Sequence, residues 1–384
     1  MSKVKLGIIG VGNMGTTHIR NIMEGKCPEI TVAAAADRLE GRRAWVKENA
    51  PDAVIFNEGS ELIASGICDA VIIATPHYQH PTLAQEAFAH NLHVMCEKPA
   101  GVYTLQVRDM IAAADEHSDR VFGMMFNQRT NCLYRKAKEL IASGEIGDIK
   151  RVNWIITDWY RTQQYYDSGA WRATWDGEGG GVLLNQCPHQ LDLLQWLTGL
   201  PVKVQAHLHE GKWHDIEVED DVTAYLEYAN GATGVFITTT GDAPGDNRLE
   251  ITGTKATIIC ENSKLIMKKL AVDEREWCRT CPEGFKRPGC ETFEVEMDGM
   301  NEQHVGVLNA FADAILHGGK LVADGREGIN GLMLSNAMHL SSWLGQAVTL
   351  PIDEKLYKAE LDKRRATSRI KTGESVVADT EGTY

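Results

Sequence analysis

The sequence predicts two domains of different architecture. Residues 1–125 read as an α/β unit with a doubly wound parallel sheet, and residues 126–384 as an α+β unit built on a large, mostly antiparallel sheet. Three observations carry this. A chain of 384 residues exceeds what one hydrophobic core usually covers. In its first third, short apolar runs alternate with helical stretches, the pattern of parallel βαβ units. Between about 148 and 293 the chain becomes a series of strand-like segments with period-two alternation, which favours antiparallel pairing.

The net charge of −14, from 39 basic and 53 acidic side chains, suits a soluble protein and argues against nucleic acid or an anionic membrane as partner. Leu6 to Val11 is apolar but too short to span a bilayer, and it runs into glycines with no cleavage-site pattern, so it reads as a strand. Nine cysteines, an odd number spread along a long chain, form no disulfide framework. Free thiols in a reducing cytosol account for them, and a cytoplasmic location is expected.

The first strand, Val4 to Ile9, leads into Gly10-Val11-Gly12-Asn13-Met14-Gly15 and then a helix over Thr16 to Met23. A G-x-G-x-x-G turn between strand and helix is the dinucleotide fingerprint of a Rossmann domain. Gly10 permits the tight turn, Gly12 lets the backbone approach a pyrophosphate, and Gly15 lets helix and strand pack closely. The helix N-terminus supplies amides and dipole to the phosphates. A second strand, Thr31 to Ala36, ends at Asp37, about 20 residues on, where the ribose-binding acid belongs. A carboxylate there bonds the ribose hydroxyls and repels a 2′-phosphate, so NAD is expected over NADP. Arg38 stands beside it, and Arg42 and Arg43 read as a solvated helix face.

Asp69 to Thr75 is a buried strand running into Ala74-Thr75-Pro76 at the carboxyl edge, followed by His77, by His80, and by a helix from Pro81 to about His90. His93 to Cys96 is another short strand, ending in Glu97-Lys98-Pro99. In an open parallel sheet ligands sit outside the carboxyl ends of the strands, so Lys98 faces the crevice. There its ammonium can hydrogen-bond a substrate hydroxyl and favour the alkoxide as hydride leaves. Pro99 fixes the backbone after the lysine, and a cis bond is one way to do so. Arg120 to Met125 closes the sheet. The cofactor set expected from these segments is Gly10, Gly12, Asn13, Met14, Gly15, Asp37, Arg38, Ala74, Thr75, Pro76, His80, Glu97 and Lys98.

In the second domain a helix is predicted over Leu133 to Ser143, a turn at Glu145-Ile146-Gly147, and a strand over Asp148 to Thr157. Further strands follow at Val202–His207, Val222–Tyr228, Thr233–Thr240, Arg248–Gly253 and Ala256–Cys260, with Asn230-Gly231 as hairpin chemistry. Helices near 302–317 and 326–345 finish the fold. Lys358 to Tyr384 is polar, lacks apolar periodicity and is expected to be mobile or partner-bound.

The run from Glu178 through Gly179-Gly180-Gly181 to Trp196 carries the chemistry. Its glycines allow close approach of backbone or ligand. A helix then places His189 and Asp192 on one face, with Asn185 joining them if the helix begins early. Histidine is the side chain whose ordinary pKa suits proton acceptance near neutrality. Upstream, Asp158-Trp159-Tyr160-Arg161, Tyr165-Tyr166 and Trp171-Arg172 offer aromatic faces for sugar rings and fixed donors for hydroxyls or carboxylates. Tyr160, Arg161, Arg172 and Asn185, with Lys98 and His189, form the expected substrate set, and an aromatic cover for the sheet edge is the alternative reading of the tract. Cys278, Cys281 and Cys290, with Cys260, have a zinc-like spacing that a surface loop explains as well, and no metal is expected.

In combination, the glycine motif, Asp37, Ala74-Thr75-Pro76 with His80, and Glu97-Lys98-Pro99 resemble the Gfo/Idh/MocA family, which includes glucose–fructose oxidoreductase and inositol 2-dehydrogenase. The resemblance runs to about Pro351. It implies an NAD(P)-dependent dehydrogenase for a carbohydrate, polyol or glycoside, working as a homodimer or tetramer through one sheet face. It also implies a catalytic lysine at Lys98, a general-base histidine at His189 and an acid at Asp192. Family members often carry Asp where this chain has Asn185, and arginines near Gln128 and Arg129. Two rivals share the fold: a glycoside hydrolase that recycles bound NAD through transient oxidation and elimination, and a non-catalytic dinucleotide sensor.

Overall fold

The computed structural model describes residues 3–371. The N-terminal elements are β1 (Val4–Ile9), α1 (Asn13–Met23), β2 (Ile30–Ala36), α2 (Glu40–Asn49), β3 (Val54–Phe56), α3 (Gly59–Ala64), β4 (Ala70–Ile73), α4 (His80–Ala89), β5 (His93–Cys96), α5 (Thr104–Glu116) and β6 (Phe122–Met124). The strands form one parallel sheet in the order β3-β2-β1-β4-β5-β6. Alternate strand residues face opposite sides, so both sides need cover. Leu6, Ile8 and Ile72 pack with Ile19 and Ile22 of α1, while Ile9, Val71 and Ile73 pack with Leu62, Ala84 and Phe88 of α3 and α4.

The chain continues through α6 (Cys132–Ala142), β7 (Ile149–Ile156), α7 (Gln163–Asp167), α8 (Pro188–Thr198), β8 (Lys203–Glu210), β9 (Glu219–Glu227), β10 (Thr233–Thr239), β11 (Asn247–Gly253), β12 (Ala256–Glu261), β13 (Lys264–Leu270), α9 (Glu274–Thr280) and β14 (Cys290–Glu294). It ends in α10 (Gln303–His317), α11 (Gly328–Leu344), β15 (Val348–Thr349) and α12 (Glu354–Arg365). Nine strands pair in the order β14-β13-β12-β11-β7-β10-β9-β8-β15, all antiparallel except β7 with β10. Val152, Trp154, Ala224, Leu226 and Phe236 bury one face of this sheet, with α8 and α11 contributing Leu191, Leu194, Leu334 and Met338 to the same core. Ile155 and Tyr225 stand exposed on the other face.

Several boundaries depart from expectation for physical reasons. Helix α1 begins at Asn13, so the motif's third glycine lies inside it. Helix α8 begins only at Pro188, because a proline is tolerated in a first turn; Asn185 therefore lies in the preceding turn. The expected tail from Lys358 is a helix over its first turns. Tyr357 and Leu361, four residues apart, are buried from α12, and Asp353 caps it by accepting the Lys355 and Leu356 amides. Two apolar residues are too few to read as periodicity. Residues 372–384 of that tail lie outside the described residues. Helix α10, late in the chain, packs Val307, Leu308 and Phe311 against the parallel sheet. Among the described residues, no helix is long and apolar enough to cross a membrane.

Candidate active site

The carboxyl edge of the parallel sheet opens into a cleft of about 1360 Å3, whose opposite wall is drawn from residues 159–189. At its nucleotide end the backbone dominates. Gly10 has φ +92°, and a Cβ there would lie 2.5 Å from the Ala74 carbonyl oxygen. A Cβ on Gly15 would lie 2.0 Å from the Gly10 carbonyl oxygen, whereas one on Gly12 would meet nothing within 4 Å. Two glycines thus close the turn and one leaves it open. No side chain caps α1, which leaves its N-terminus to a ligand.

Asp37, at the end of β2, is oriented by accepting the Val11 and Leu39 amides, each at 2.8 Å. Arg38 donates to Glu58 at 2.9 Å, and Arg43 donates to the backbone oxygens of Asp37 and Arg38. Gly12, Asn13, Met14, Asp37, Arg38, Ala74, Thr75, Pro76 and His80 all line the cleft; Gly15 supports it from behind. His80 is buried rather than superficial. Its ring nitrogens lie 2.8 Å from the Pro99 carbonyl oxygen and 2.7 Å from that of Thr75, joining the loops after β4 and β5.

At the substrate end, side chains from distant segments meet. Glu97 is buried with one oxygen 2.7 Å from His18 Nε2. Burial alone would raise its pKa, but the His18 hydrogen bond and charge outweigh that and bring it down to about 2. The Lys98–Pro99 bond is cis. Lys98 Nζ donates to the Asn185 carbonyl oxygen at 3.1 Å, and burial lowers its pKa.

His189 lies in the first turn of α8, 4% exposed, and neither ring nitrogen has a hydrogen-bond partner among the described residues. Burial first, then the Lys98 charge, hold its pKa well below the ordinary histidine value. It is therefore neutral at pH 7 and able to accept a proton. Lys98, His189, Asn185, Tyr160, Arg161 and Arg172 all line the same cleft.

Asp192, expected beside His189, does not line the cleft. Its carboxylate receives Arg129 Nη2 at 2.6 Å, Arg129 Nε at 2.8 Å and Gln195 at 3.0 Å. A helix face is wide enough for three-residue neighbours to diverge when one meets a buried cation. Arg129, also paired to Glu327 at 2.8 Å, does not line the cleft.

Residues outside the expected substrate set complete the wall. Tyr165 has the Arg161 and Arg172 guanidinium groups 5.2 and 4.4 Å from its ring centre, and its hydroxyl accepts from Arg172 at 2.6 Å and from Gln186 at 3.0 Å. His77 lies 3.2 Å from the Glu178 carbonyl oxygen and packs edge-on to Trp171. The buried Glu178 carboxylate accepts the Ala173 amide and the Asn185 side-chain amide, and lies 3.9 Å from Arg172. Beneath the glycine run, the buried Glu219 carboxylate accepts the Gly181 and Leu183 amides and lies 3.0 Å from His339.

From the last residue of α12 onward the chain straps this wall. Arg365 pairs with Asp176, Ser368 bonds Glu217, and Lys371 Nζ donates to the carbonyl oxygens of Tyr166 and Arg172, each at 3.1 Å. A spacing of aromatic and basic residues does not announce such contacts, which depend on how distant segments fold together. Among the described residues no group of three or more His, Cys, Asp or Glu side chains is placed to hold a metal ion; Cys278 sits on α9 and Cys290 on β14, both exposed.

A parallel sheet bearing this glycine turn, its cleft walled by the 159–189 segment of a second domain with a mostly antiparallel sheet, defines a two-domain dinucleotide-binding protein. The chain belongs to the GFO/IDH/MocA oxidoreductase family. Residues 4–124 match its NAD-binding Rossmann fold and residues 134–259 its C-terminal domain, together well over half of the chain. NAD is therefore its cofactor, and the open Gly12 turn, the uncapped α1 and the oriented Asp37 fit that molecule.

The inositol 2-dehydrogenase of Rhizobium meliloti is 24% identical over 345 residues, covering 87% of this chain and 95% of that protein. The rhizopine catabolism protein MocA of the same species is 27% identical over 199 residues, 52% of this chain and 58% of that one. Among solved structures, the WlbA dehydrogenase from Bordetella pertussis, in complex with NADH and UDP-GlcNAcA, is 27% identical with a TM-score of 0.76, covering 91% of this chain and all of that one. Levoglucosan dehydrogenase in complex with NADH and levoglucosan shares the fold at 21% identity, with a TM-score of 0.77 over 91% of this chain and all of that one.

Proposed function

We propose that the protein is an NAD-dependent dehydrogenase moving hydride between a hydroxyl-bearing carbon of a carbohydrate or cyclitol and the nicotinamide, with Lys98 and His189 at the reacting hydroxyl. The carrying observation is that a neutral, buried histidine with two unengaged ring nitrogens shares a cleft with a buried lysine and the dinucleotide turn. NAD, when bound, supplies the hydride acceptor. His189 takes the hydroxyl proton, and Lys98 steadies the oxyanion that develops. Buried Glu97, ionised beside His18, keeps the lysine's surroundings favourable to its cation. Asn185, its side-chain amide engaged by Glu178, acts through its carbonyl oxygen, which holds Lys98.

Asp37, with Arg38 and Arg43 engaged by protein partners, supports NAD over NADP. The inositol and levoglucosan dehydrogenases among the relatives support a polyol or sugar substrate. The outer sheet face, where Tyr225 and Ile155 are 43% and 39% exposed, supports a homo-oligomer assembled there. The test is NADH formation across a panel of cyclitols, sugars, sugar acids and glycosides. Substrate-dependent NADH release is expected. Glycoside cleavage with no net NADH would replace this reading by the hydrolase one, and inertness toward the whole panel would overturn it.

A further inference from the structure

Three cations face the substrate end of the cleft: Lys98, Arg161 and Arg172. The proposed chemistry employs only the lysine. The two arginines enter from opposite ends of one connection, residues 161 and 172, and converge on a single ring, that of Tyr165. Stacking of this kind fixes the plane of a guanidinium while leaving its edge to hydrogen-bond.

Their protein partners leave much of that donor capacity unused. Among the described residues, the Arg161 side chain gives one hydrogen bond, to the Tyr160 carbonyl oxygen, and that of Arg172 gives one, to the Tyr165 hydroxyl. Arg172 Nε is buried with no partner, although its side chain is 14% exposed. A guanidinium has five N–H donors, and burying one unsatisfied is unfavourable. The nearest carboxylate, Glu178, lies at 3.9 Å, beyond hydrogen-bond reach, and is already engaged by Ala173 and Asn185. Asp167 also lines the cleft, where it accepts from Gln163. The acids Asp37, Glu58 and Glu86 belong to the nucleotide end.

We propose that Arg161 and Arg172 form a carboxylate-binding subsite, so that the preferred substrate is a sugar acid whose carboxylate sits on the two guanidinium groups while its hydroxyl meets Lys98 and His189. This rests on the dehydrogenase reading above and narrows its substrate class. A planar carboxylate matches the donor edge of guanidinium, and such charge-assisted pairs are stronger than bonds to neutral hydroxyls. Lys371, holding the Arg172 carbonyl oxygen, fixes the position of that subsite from behind.

The test uses purified full-length protein with hexuronates, their neutral parent hexoses, and the matching hexuronamides, which keep the shape without the charge. NADH formation should favour acid over amide by about a hundredfold in kcat/KM, the scale of a desolvated charged hydrogen-bond pair. R172Q and R161Q should each reduce that ratio at least tenfold by raising KM for the acid, and R172K should recover part of it. Melting temperatures of the variants check folding.

Titration of the enzyme–NADH complex with hexuronate and hexuronamide, read by NADH fluorescence, gives an answer independent of turnover. Preferential binding of the acid without turnover would retain the subsite and overturn the dehydrogenase reading. Equal use or equal binding of acid and amide would overturn the subsite and leave that reading intact, as would ratios insensitive to both arginine substitutions.

Discussion

The two ends of the cleft are built on different principles. The nucleotide end is shaped mainly by backbone: the glycines of one strand–turn–helix segment close on each other and on Ala74, and Asp37, the proposed ribose acid, is oriented by the Val11 amide 26 residues away. The other end is assembled from side chains of the loop after β5, the 159–187 connection and α8, and the Lys98–Asn185 bond spans 87 residues. A site made of local backbone geometry is tolerant of its distant surroundings. One made of converging side chains inherits every packing decision between its parts, so equivalent perturbations should act differently at the two ends.

The sharpest way to break that contrast is at the chemistry. Lys98→Ala is expected to lower kcat by about 10²–10³-fold and His189→Ala by about 10²–10⁴-fold, while NAD binding, followed by fluorescence titration, survives in both. Loss of dinucleotide affinity in step with kcat would show that the ends are not separable. The double variant should fall far less than the product of the two, since the residues serve one proton transfer.

Asp192→Asn probes the same end through packing. It leaves Arg129, whose side chain is 2% exposed, without its main counter-charge, and breaking a buried pair costs about 3–5 kcal/mol of stability. The expected signature is a lower Tm with kcat largely kept in the folded fraction at low temperature. A Tm like that of the unsubstituted protein together with lost turnover would return Asp192 to the chemistry.

At the other end, Gly12→Ala places a methyl in open space and should leave Tm unchanged while raising KM for NAD roughly tenfold, about 1.4 kcal/mol. An unchanged KM would mean that the pyrophosphate does not pass there.

The pH profile gives the subtlest distinction. His189 must be neutral to accept a proton, and its pKa is lowered, so the acid limb of kcat/KM should fall below pH 6.5. Lys98 must keep its proton, and its lowered pKa brings the alkaline limb below 10.5. His189→Ala should abolish the acid limb and keep the alkaline one.

The same contrast explains what could be read from sequence. The glycine turn, Asp37 and the Lys98 strand end were legible because local geometry dictates each residue type. The place of His189 in the cleft was legible because the chain presents it just after a glycine run. Asp192 misled because three-residue spacing says which residues can share a face and nothing about a buried arginine arriving from residue 129. Glu178 and Glu219 went unread because their roles depend on amides brought near by tertiary folding. The short apolar pair Tyr357 and Leu361 sat below the threshold at which periodicity declares a helix.

The strap from Lys371 to the Arg172 carbonyl oxygen bridges 199 residues. A chain emerging from the ribosome N-terminus first can pair its six parallel strands once residue 124 is out, yet the cover that α10 lays on that sheet, like the arginine wall, waits for residues made much later. Both ends of the cleft therefore depend on the C-terminal third of the chain.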